Sequence, residues 1–245
     1  MAGLGILGAL GLAGLIAGGV AAVAGFGIGS VLTPVLALET GTRLAVAAVA
    51  IPHVIGTAQR LWILRAHVDR RVLIGFGLAS AVGGLVGALL QSVVAGRGLS
   101  IVFGLALAAT GVAELTGWMR RVRWGRRAAW VAGLVSGLLG GMVGNQGSIR
   151  SASLLGFDVP KESFVATATA IALCVDAARL PVYLATQGAE ILALWPLLLV
   201  ATGGVVVGTA LGTRILGRID EATFHRVLGI SLICLGAWFA AAGDT

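Results

Sequence analysis

Six apolar stretches of this chain each have close to the length that an α-helix needs to cross a lipid bilayer, about 20 residues. They lie at 43–64, 72–96, 98–118, 163–186, 189–213 and 222–242. The chain is 58% hydrophobic and only 11% charged, whereas soluble domains contain about 25% charged residues. So few charges cannot cover a surface that faces water. The sequence therefore predicts an all-α polytopic membrane protein in contact with the lipid bilayer.

Two further apolar segments are interrupted by glycines, which divide each of them into a long piece and a short piece. The first segment consists of 3–24 and 30–39, and the second consists of 127–143 and 148–157. Each short piece has 10 residues, which corresponds to about 15 Å of helix, or half of a bilayer. Interrupted helices at matching places in two halves are typical of secondary transporters, in which they form the substrate site.

The interrupted segments belong to a longer duplication. An offset of 119 residues aligns the glycines around the two breaks, and it also aligns Arg60 with Arg179. Toward the end of each half the offset is 125 residues. The aligned glycines are Gly14, Gly18 and Gly25 with Gly133, Gly137 and Gly144, then Gly104 and Gly111 with Gly229 and Gly236. We predict an N-terminal repeat at 1–118, a linker at 119–127 and a C-terminal repeat at 128–245. The alternative is a coincidence among the 39 glycines of the chain.

The basic residues of the loops predict how the repeats are oriented. If each interrupted segment crosses the membrane, the loops on the two sides carry 8 and 5 basic residues; if each segment returns, they carry 11 and 2. The positive-inside rule favours the second arrangement. Each repeat is then a helix-break hairpin plus three transmembrane helices, and the two repeats are inverted. The linker lies in the cytoplasm, both termini lie outside, and the chain is a multi-pass protein of the cell inner membrane.

The glycine breaks have the chemistry of an anion site. Backbone N–H groups freed at bilayer depth, together with the N-terminus of the following helix, create a positive local field. The predicted substrate-binding residues are Gly25, Gly27, Gly29, Ser30 and Thr33 in the first break, and Gly144, Asn145, Gln146, Gly147, Ser148 and Arg150 in the second, with Ser151 beside them. The alternative is that the glycines only pack helices and the hydroxyls cap a half-helix.

Several ionisable residues lie inside apolar spans, where charges are costly and usually functional. Arg60 and Arg179 occupy matching positions, so we predict that they bind the anion from either side of the midplane. The alternatives are that Arg60 extends to the membrane interface and that Arg179 pairs with Asp176. Asp176 is also the candidate for proton coupling. His53, which follows Pro52, is predicted to bind the anion or a proton, unless it is an ordinary core histidine.

Other classes of function lack the residues that they need. The net charge of +7 does not predict nucleic-acid binding, because most basic residues sit in short loops between apolar stretches. Cys174 and Cys234 stand alone in apolar helices, so we predict no disulfide, no metal site and no cofactor. Three scattered histidines and one embedded aspartate form no acid–base constellation, which argues against an enzyme. Without a nucleotide-binding motif, uphill transport would depend on coupled protons or sodium.

The run Gly-Phe-Gly-Ile-Gly-Ser-Val-Leu-Thr-Pro at 25–34, with its echo after Gly144, resembles the TauE/SafE sulfite exporter family, also known as the toluenesulfonate uptake permease family. The resemblance covers the whole chain in size, duplication and placement of the breaks. It implies a transporter of sulfur-containing anions such as sulfite or sulfonates, often coupled to an ion gradient. The second repeat departs from the pattern, because Asn145, Gln146 and Arg150 interrupt the glycine run and no proline follows.

These observations predict a secondary transporter that moves small sulfur-containing anions, sulfite or organosulfonates, by alternating access. Two alternatives stay open. One is a carrier of another small anion such as a carboxylate, and the other is a membrane subunit that transports nothing. A substrate that stabilises the purified protein would argue against the second alternative.

Overall fold

The described part of the chain folds into eight long helices. The computed structural model describes residues 3–94, 96–117, 126–145, 147, 149–150, 154, 160–215 and 221–242, and these form no strand. We number the helices α1 (Leu4–Ala24), α2 (Ile28–Leu64), α3 (Arg70–Val93), α4 (Gly96–Thr116), α5 (Arg126–Val143), α6 (Lys161–Ala193), α7 (Trp195–Ile215) and α8 (Glu221–Ala242). A 3₁₀ turn at Arg65–His67 follows α2, and α3 contains a π-helical turn at Leu73–Gly77.

Six of the described helices are apolar and long enough to cross a membrane, and α5 and α8 contain shorter apolar stretches at Trp130–Val143 and Arg226–Ala242. Large apolar side chains such as Leu12, Leu85 and Leu199 are exposed. Such exposure is expected where lipid tails cover a surface, because they are as apolar as leucine itself. The prediction of an all-α polytopic membrane protein is confirmed, and the chain is a multi-pass membrane protein.

α2 is a helical hairpin and not a straight rod. Gly41, inside α2, has φ 75° and ψ 159°, so the helix is interrupted there. A Cβ built on Gly56 would lie 3.1 Å from the side chain of Ile28. In a straight helix the same two positions would be about 42 Å apart. Residues 28–40 therefore fold back along the remainder of α2, and they correspond to the half-helix that the sequence predicts at 30–39.

Glycines allow the helices of the two halves to pack closely. A Cβ on Gly18 of α1 would overlap the carbonyl oxygen of Val205 in α7, and a Cβ on Gly137 of α5 would overlap that of Ser80 in α3. The two glycines are 119 residues apart and the two carbonyl groups are 125 residues apart. The contact that α1 makes with α7 is thus repeated by α5 and α3 at the offsets of the duplication. Close approach of backbones at small residues is the usual packing of membrane helices.

α4 and α8 pack on each other reciprocally. A Cβ on Gly104 would lie 2.5 Å from the carbonyl oxygen of Gly236, and a Cβ on Gly111 would lie 2.5 Å from that of Gly229. In the duplication Gly104 matches Gly229, and Gly111 matches Gly236. Gly104 therefore contacts the residue that matches Gly111, and Gly111 contacts the residue that matches Gly104. Such reciprocal contacts are the pattern of an isologous, two-fold interface.

The contacts also give the direction of each helix. α2 and α6 are antiparallel, since His53 contacts Asp176 while Arg60, further along α2, contacts Thr169, further back along α6. α1 runs parallel to α7, which starts where α6 ends; α5 runs parallel to α3, which starts where α2 ends. α1 and α5 therefore run in opposite directions. This packing supports inverted repeats, which stay our proposal, and most of the linker at 119–127 lies outside the described residues.

One predicted boundary, between the spans 163–186 and 189–213, is wrong. α6 continues to Ala193, and the turn to α7 lies at Leu194. Gln187 has a non-helical φ of −140°, yet its Nε2 donates a 3.1 Å hydrogen bond to Oε1 of Gln91 in α3. Because a buried partner satisfies this polar side chain, the chain does not have to reach water at this position.

The end of the bundle at which α6 finishes contains a cavity of about 400 Å³, lined in part by Gly41, Arg43, Gln187 and Glu190. α1 begins at the same end, since it runs parallel to α7. The first interrupted segment, which consists of α1 and residues 28–40, therefore starts and finishes on one side of the bundle. This course matches the returning hairpin that the loop charges predict.

Candidate functional site

α1 and α5 end at matching glycines in the left-handed conformation. Gly25 has φ 81° and Gly144 has φ 72°, values that glycine adopts without strain. The N–H of Gly25 donates to the carbonyl oxygen of Ala21 over 3.0 Å, and that of Gly144 donates to Gly140 over 3.1 Å. Gly27, with φ 129°, follows in the first break. Both helices therefore stop with the same type of C-cap, at the positions where the sequence predicts a break.

The two breaks touch each other inside the bundle. A Cβ on Gly29 would clash with the carbonyl oxygen of Gly144, and a Cβ on Gly147 would clash with the ring of Phe26. A side chain at either glycine would force the two segments apart. The structure thus brings together glycines that are more than 100 residues apart in the sequence, at one place.

Polar side chains from three elements surround the contact between the breaks. The Ser30 hydroxyl donates to Oδ1 of Asn145 over 3.3 Å, and Nδ2 of Asn145 donates to the Thr110 hydroxyl over 3.1 Å. Thr33 is fully buried, and its Oγ1 has no hydrogen-bond partner among the described residues. The open hydroxyl of Thr33 is therefore available to a ligand.

Arg60 and Arg179 make equivalent hydrogen bonds to the ends of α1 and α5. Nη1 of Arg60 donates to the carbonyl oxygen of Ala21 over 2.7 Å, and Nη1 of Arg179 donates to that of Gly140 over 2.5 Å. The two donors, Arg60 and Arg179, are 119 residues apart, and so are the two acceptors, Ala21 and Gly140. A cation at the negative end of a helix dipole is stabilising. Both arginines are nearly fully buried, so Arg60 does not extend to the membrane interface.

The two arginines differ in their remaining partners. Nε of Arg60 donates to the Thr169 hydroxyl over 2.9 Å, whereas Nε and Nη2 of Arg179 lie 2.9 and 2.8 Å from Oδ1 of Asp176. In the first repeat Thr57 occupies the position that matches Asp176. The carboxylate is therefore specific to the second repeat, and it holds Arg179 in an ion pair.

Asp176 also binds His53 of α2. Oδ2 of Asp176 lies 2.7 Å from Nδ1 of His53, while Oδ1 accepts from Arg179. Asp176 has no exposed surface. Its two oxygens are thus shared between one cation and one imidazole, which satisfies the buried carboxylate.

Arg150, in the segment that follows the second break, is a buried cation that has no acidic hydrogen-bond partner among the described residues. Only 2% of its surface is exposed. Its Nη2 is 3.5 Å from the carbonyl oxygen of Gly25, at the outer limit of a hydrogen bond. Its Nε and Nη1 have no hydrogen-bond partner among the described residues. An unpaired buried charge is strongly unfavourable, so these two donors are open positions for an anion.

We call Arg60, Arg150, Asp176 and Arg179 the charged cluster. These side chains are all nearly fully buried and close enough to interact electrostatically. Three guanidinium groups and one carboxylate give the charged cluster a net charge of +2. A low-dielectric interior does not tolerate such an excess without a counterion. The net charge of the arrangement therefore matches one small anion of charge −2, and a monoanion would neutralise half of it.

Most of the predicted site residues fall in this region, although Gln146, Ser148 and Ser151 lie outside the described residues. Two residues that contact the site, Thr110 of α4 and Thr169 of α6, were not predicted. Hydroxyl groups in apolar helices are common and carry no signal of their own. Among the described residues, no group of three or more His, Cys, Asp or Glu could hold a metal ion.

Comparison with known proteins identifies the family. A family model described as sulfite exporter TauE/SafE matches residues 10–239, nearly the whole chain. No curated protein matches the chain, and no solved structure does. The resemblance carried by the first glycine break is confirmed, because the match extends across both breaks and the charged cluster. The chain belongs to the sulfite exporter TauE/SafE family of membrane transporters.

Proposed function

We propose that this protein is a secondary transporter that moves small sulfur-containing anions, sulfite or organosulfonates, across the cell inner membrane. Membership of the TauE/SafE family supports transport over enzymatic catalysis. The net charge of the charged cluster supports an anionic substrate. Two helix breaks that meet inside a bundle are also the arrangement in which many secondary transporters bind their substrates.

The open donors of Arg150 are the observation on which the anion site depends. The side-on fork of a guanidinium consists of Nε and Nη2, and it suits two oxygens of the same oxyanion. In Arg150 this Nε has no partner among the described residues, and Nη2 makes only the 3.5 Å contact with Gly25. Sulfite and sulfonate groups present three oxygens on one sulfur atom, so they can accept both bonds at once. The unpartnered hydroxyl of Thr33 offers a further donor beside the second break. The bound anion would remove the cost of an unpaired buried cation.

Alternating access would follow from the way in which the breaks are held. Arg60 of α2 binds the end of α1, and Arg179 of α6 binds the end of α5. Movement of either interrupted segment relative to residues 42–64 of α2 and to α6 would break these bonds and open the site toward one side. The substrate would then leave the charged cluster as the site opens.

A thermal-shift panel on detergent-solubilised protein tests the substrate class. The panel contains sulfite, thiosulfate, sulfate, sulfoacetate, taurine and acetate. A ligand at 100 times its Kd stabilises the protein by about 2.7 kcal/mol, which is readily measured. We expect the sulfur oxyanions to stabilise the protein and acetate to have little effect. Stabilisation by acetate alone would indicate a carboxylate carrier, and no stabilisation by any anion would favour a subunit that transports nothing.

Transport itself requires liposomes. Protein reconstituted into them should accumulate the radiolabelled form of the most stabilising anion, and Arg150→Met should not. Equal accumulation by both proteins would refute a role for Arg150 in substrate binding.

A further inference from the structure

We propose that His53 is the proton-binding residue that couples anion binding at Arg150 to the uptake of a proton, with Asp176 as its positioning partner. This inference rests on the proposed anion site. It assigns to His53 a role that the sequence suggested first for Asp176, and it makes the imidazole Nε2 the atom that gains the proton.

The bonds of Asp176 leave it no room to act as the proton carrier. Oδ1 accepts from Nε of Arg179 over 2.9 Å and lies 2.8 Å from its Nη2, and Oδ2 contacts Nδ1 of His53. Protonation of this carboxylate would leave Arg179 as a third buried guanidinium without a counterion. Loss of the negative charge that pairs with a buried guanidinium is strongly unfavourable. Asp176 therefore stays ionised through the cycle.

The contact between Asp176 and His53 determines which nitrogen of the imidazole carries the hydrogen. A carboxylate oxygen can only accept, so Nδ1 of His53 must carry the hydrogen at a separation of 2.7 Å. The Thr57 hydroxyl is 3.5 Å from the same nitrogen and adds only a weak contact. Among the described residues, nothing donates to or accepts from Nε2. With Nδ1 committed, Nε2 is the one position at which the ring can exchange a proton.

The charges that face His53 come from every element around it. Asp176 and Arg179 are on α6, and Arg150 is on the segment after the second break. Arg60 lies two turns further along α2. With the imidazole neutral these groups sum to +2, and protonation would make the sum +3. A bound anion offsets that increase, so the anion and the proton favour each other's binding. Linkage makes the effect reciprocal, and protonation of His53 strengthens the binding of the anion by the same factor.

The proposal predicts proton uptake when the anion binds. Titration calorimetry with thiosulfate, which holds no titratable proton near neutral pH, is repeated in buffers of different ionisation enthalpy. Near pH 6.5, wild type should take up a substantial fraction of about one proton per anion. Its affinity for thiosulfate should fall as the pH rises, by at most about tenfold per pH unit.

His53→Gln should bind thiosulfate with no proton uptake and no dependence on pH over the same range. His53→Asn is the second variant, since its amide can also donate to Asp176, and either variant suffices if the other fails to fold. His67→Gln is the matched control, because His67 is exposed on the 3₁₀ turn after α2, and it should behave as wild type.

Three outcomes would overturn the assignment. The first is a His53→Gln protein that takes up as many protons as wild type. The second is a wild type that binds thiosulfate without any proton uptake. The third is a pair of folded variants that no longer bind thiosulfate, which would make His53 a ligand of the anion. If wild type itself binds no anion of the panel, the anion site fails instead, and the two failures are thereby distinguished.

Discussion

Replacement of Arg150 by methionine should weaken anion binding strongly without destabilising the empty protein. Methionine has similar length and fits a buried position, but it has neither charge nor donors. Among the described residues, Arg150 makes one hydrogen bond, of 3.5 Å, and its Nε and Nη1 have no partner. Exchange of a poorly paired buried ion for an apolar side chain is often neutral, or stabilising by about 1–4 kcal/mol. We therefore expect an equal or higher unfolding midpoint without ligand.

The loss of anion binding follows from the two open donors. A hydrogen bond to a charged group contributes about 1.5–3 kcal/mol, so two such bonds amount to about 3–6 kcal/mol. At about 1.4 kcal/mol for each tenfold change, Kd for thiosulfate should rise by a factor on the order of 10² to 10⁴. In saturating thiosulfate the order of stability should reverse, and wild type should be the more stable protein.

Titration calorimetry and thermal unfolding, each with and without thiosulfate, measure both halves of this prediction. Arg65→Met is the matched control, because Arg65 is exposed at the end of α2 and stacks on Trp62. If Arg150→Met binds thiosulfate within a factor of about three of wild type, the segment after the second break is not the anion site. If the empty variant unfolds at a much lower temperature, Arg150 has a structural role that its contacts do not reveal.

Three further predictions concern the contact between the breaks, the buried ion pair and the topology. Gly29→Ala should abolish transport, because the new Cβ would clash with the backbone of the second break. Gly203→Ala is the control and should transport normally, because a Cβ on Gly203 would face open space. Equal uptake by both variants in liposomes would contradict this prediction. Arg179→Met should lower the free energy of unfolding by about 3–5 kcal/mol, because the buried carboxylate of Asp176 loses its cation and keeps only its contact with His53. An unchanged denaturation midpoint would refute the ion pair. Val122→Cys and Asp244→Cys, each in a variant without the two native cysteines, should react with a membrane-impermeant thiol reagent from opposite sides of the membrane; labelling from one side would exclude the inverted topology.

The sequence predicted the helices well because the bilayer imposes its own length on them. An apolar run of about 20 residues has few stable alternatives to a transmembrane helix. Both interruptions were also predictable, since clusters of glycine inside such runs free backbone groups that must find partners. The continuation of α6 beyond Gln187 was not predictable, because the hydrogen bond from Gln187 to Gln91 depends on a helix that lies about 100 residues earlier in the chain.

The site residues also divide into properties that the sequence predicted and properties that only the fold decided. The duplication placed Arg60 and Arg179 in matching positions, but only the fold assigned them to the carbonyl groups that end α1 and α5. Arg150 was predicted to bind the anion, and in the fold its Nε and Nη1 have no partner among the described residues. Whether a buried cation is satisfied depends on groups that arrive from distant helices, and local sequence contains no record of those distances.

The sequence by itself determined that this protein spans a membrane and that two of its apolar segments are broken by glycines, and it predicted that the two halves repeat. Those properties follow from composition and spacing, which act on each segment separately. Only the tertiary structure decided that the two breaks touch, that Asp176 is shared by Arg179 and His53, and that the charged cluster has more positive than negative charge. The physical reason is that electrostatic balance in a low-dielectric interior is a property of neighbours in space, and these neighbours come from helices in both halves of the chain.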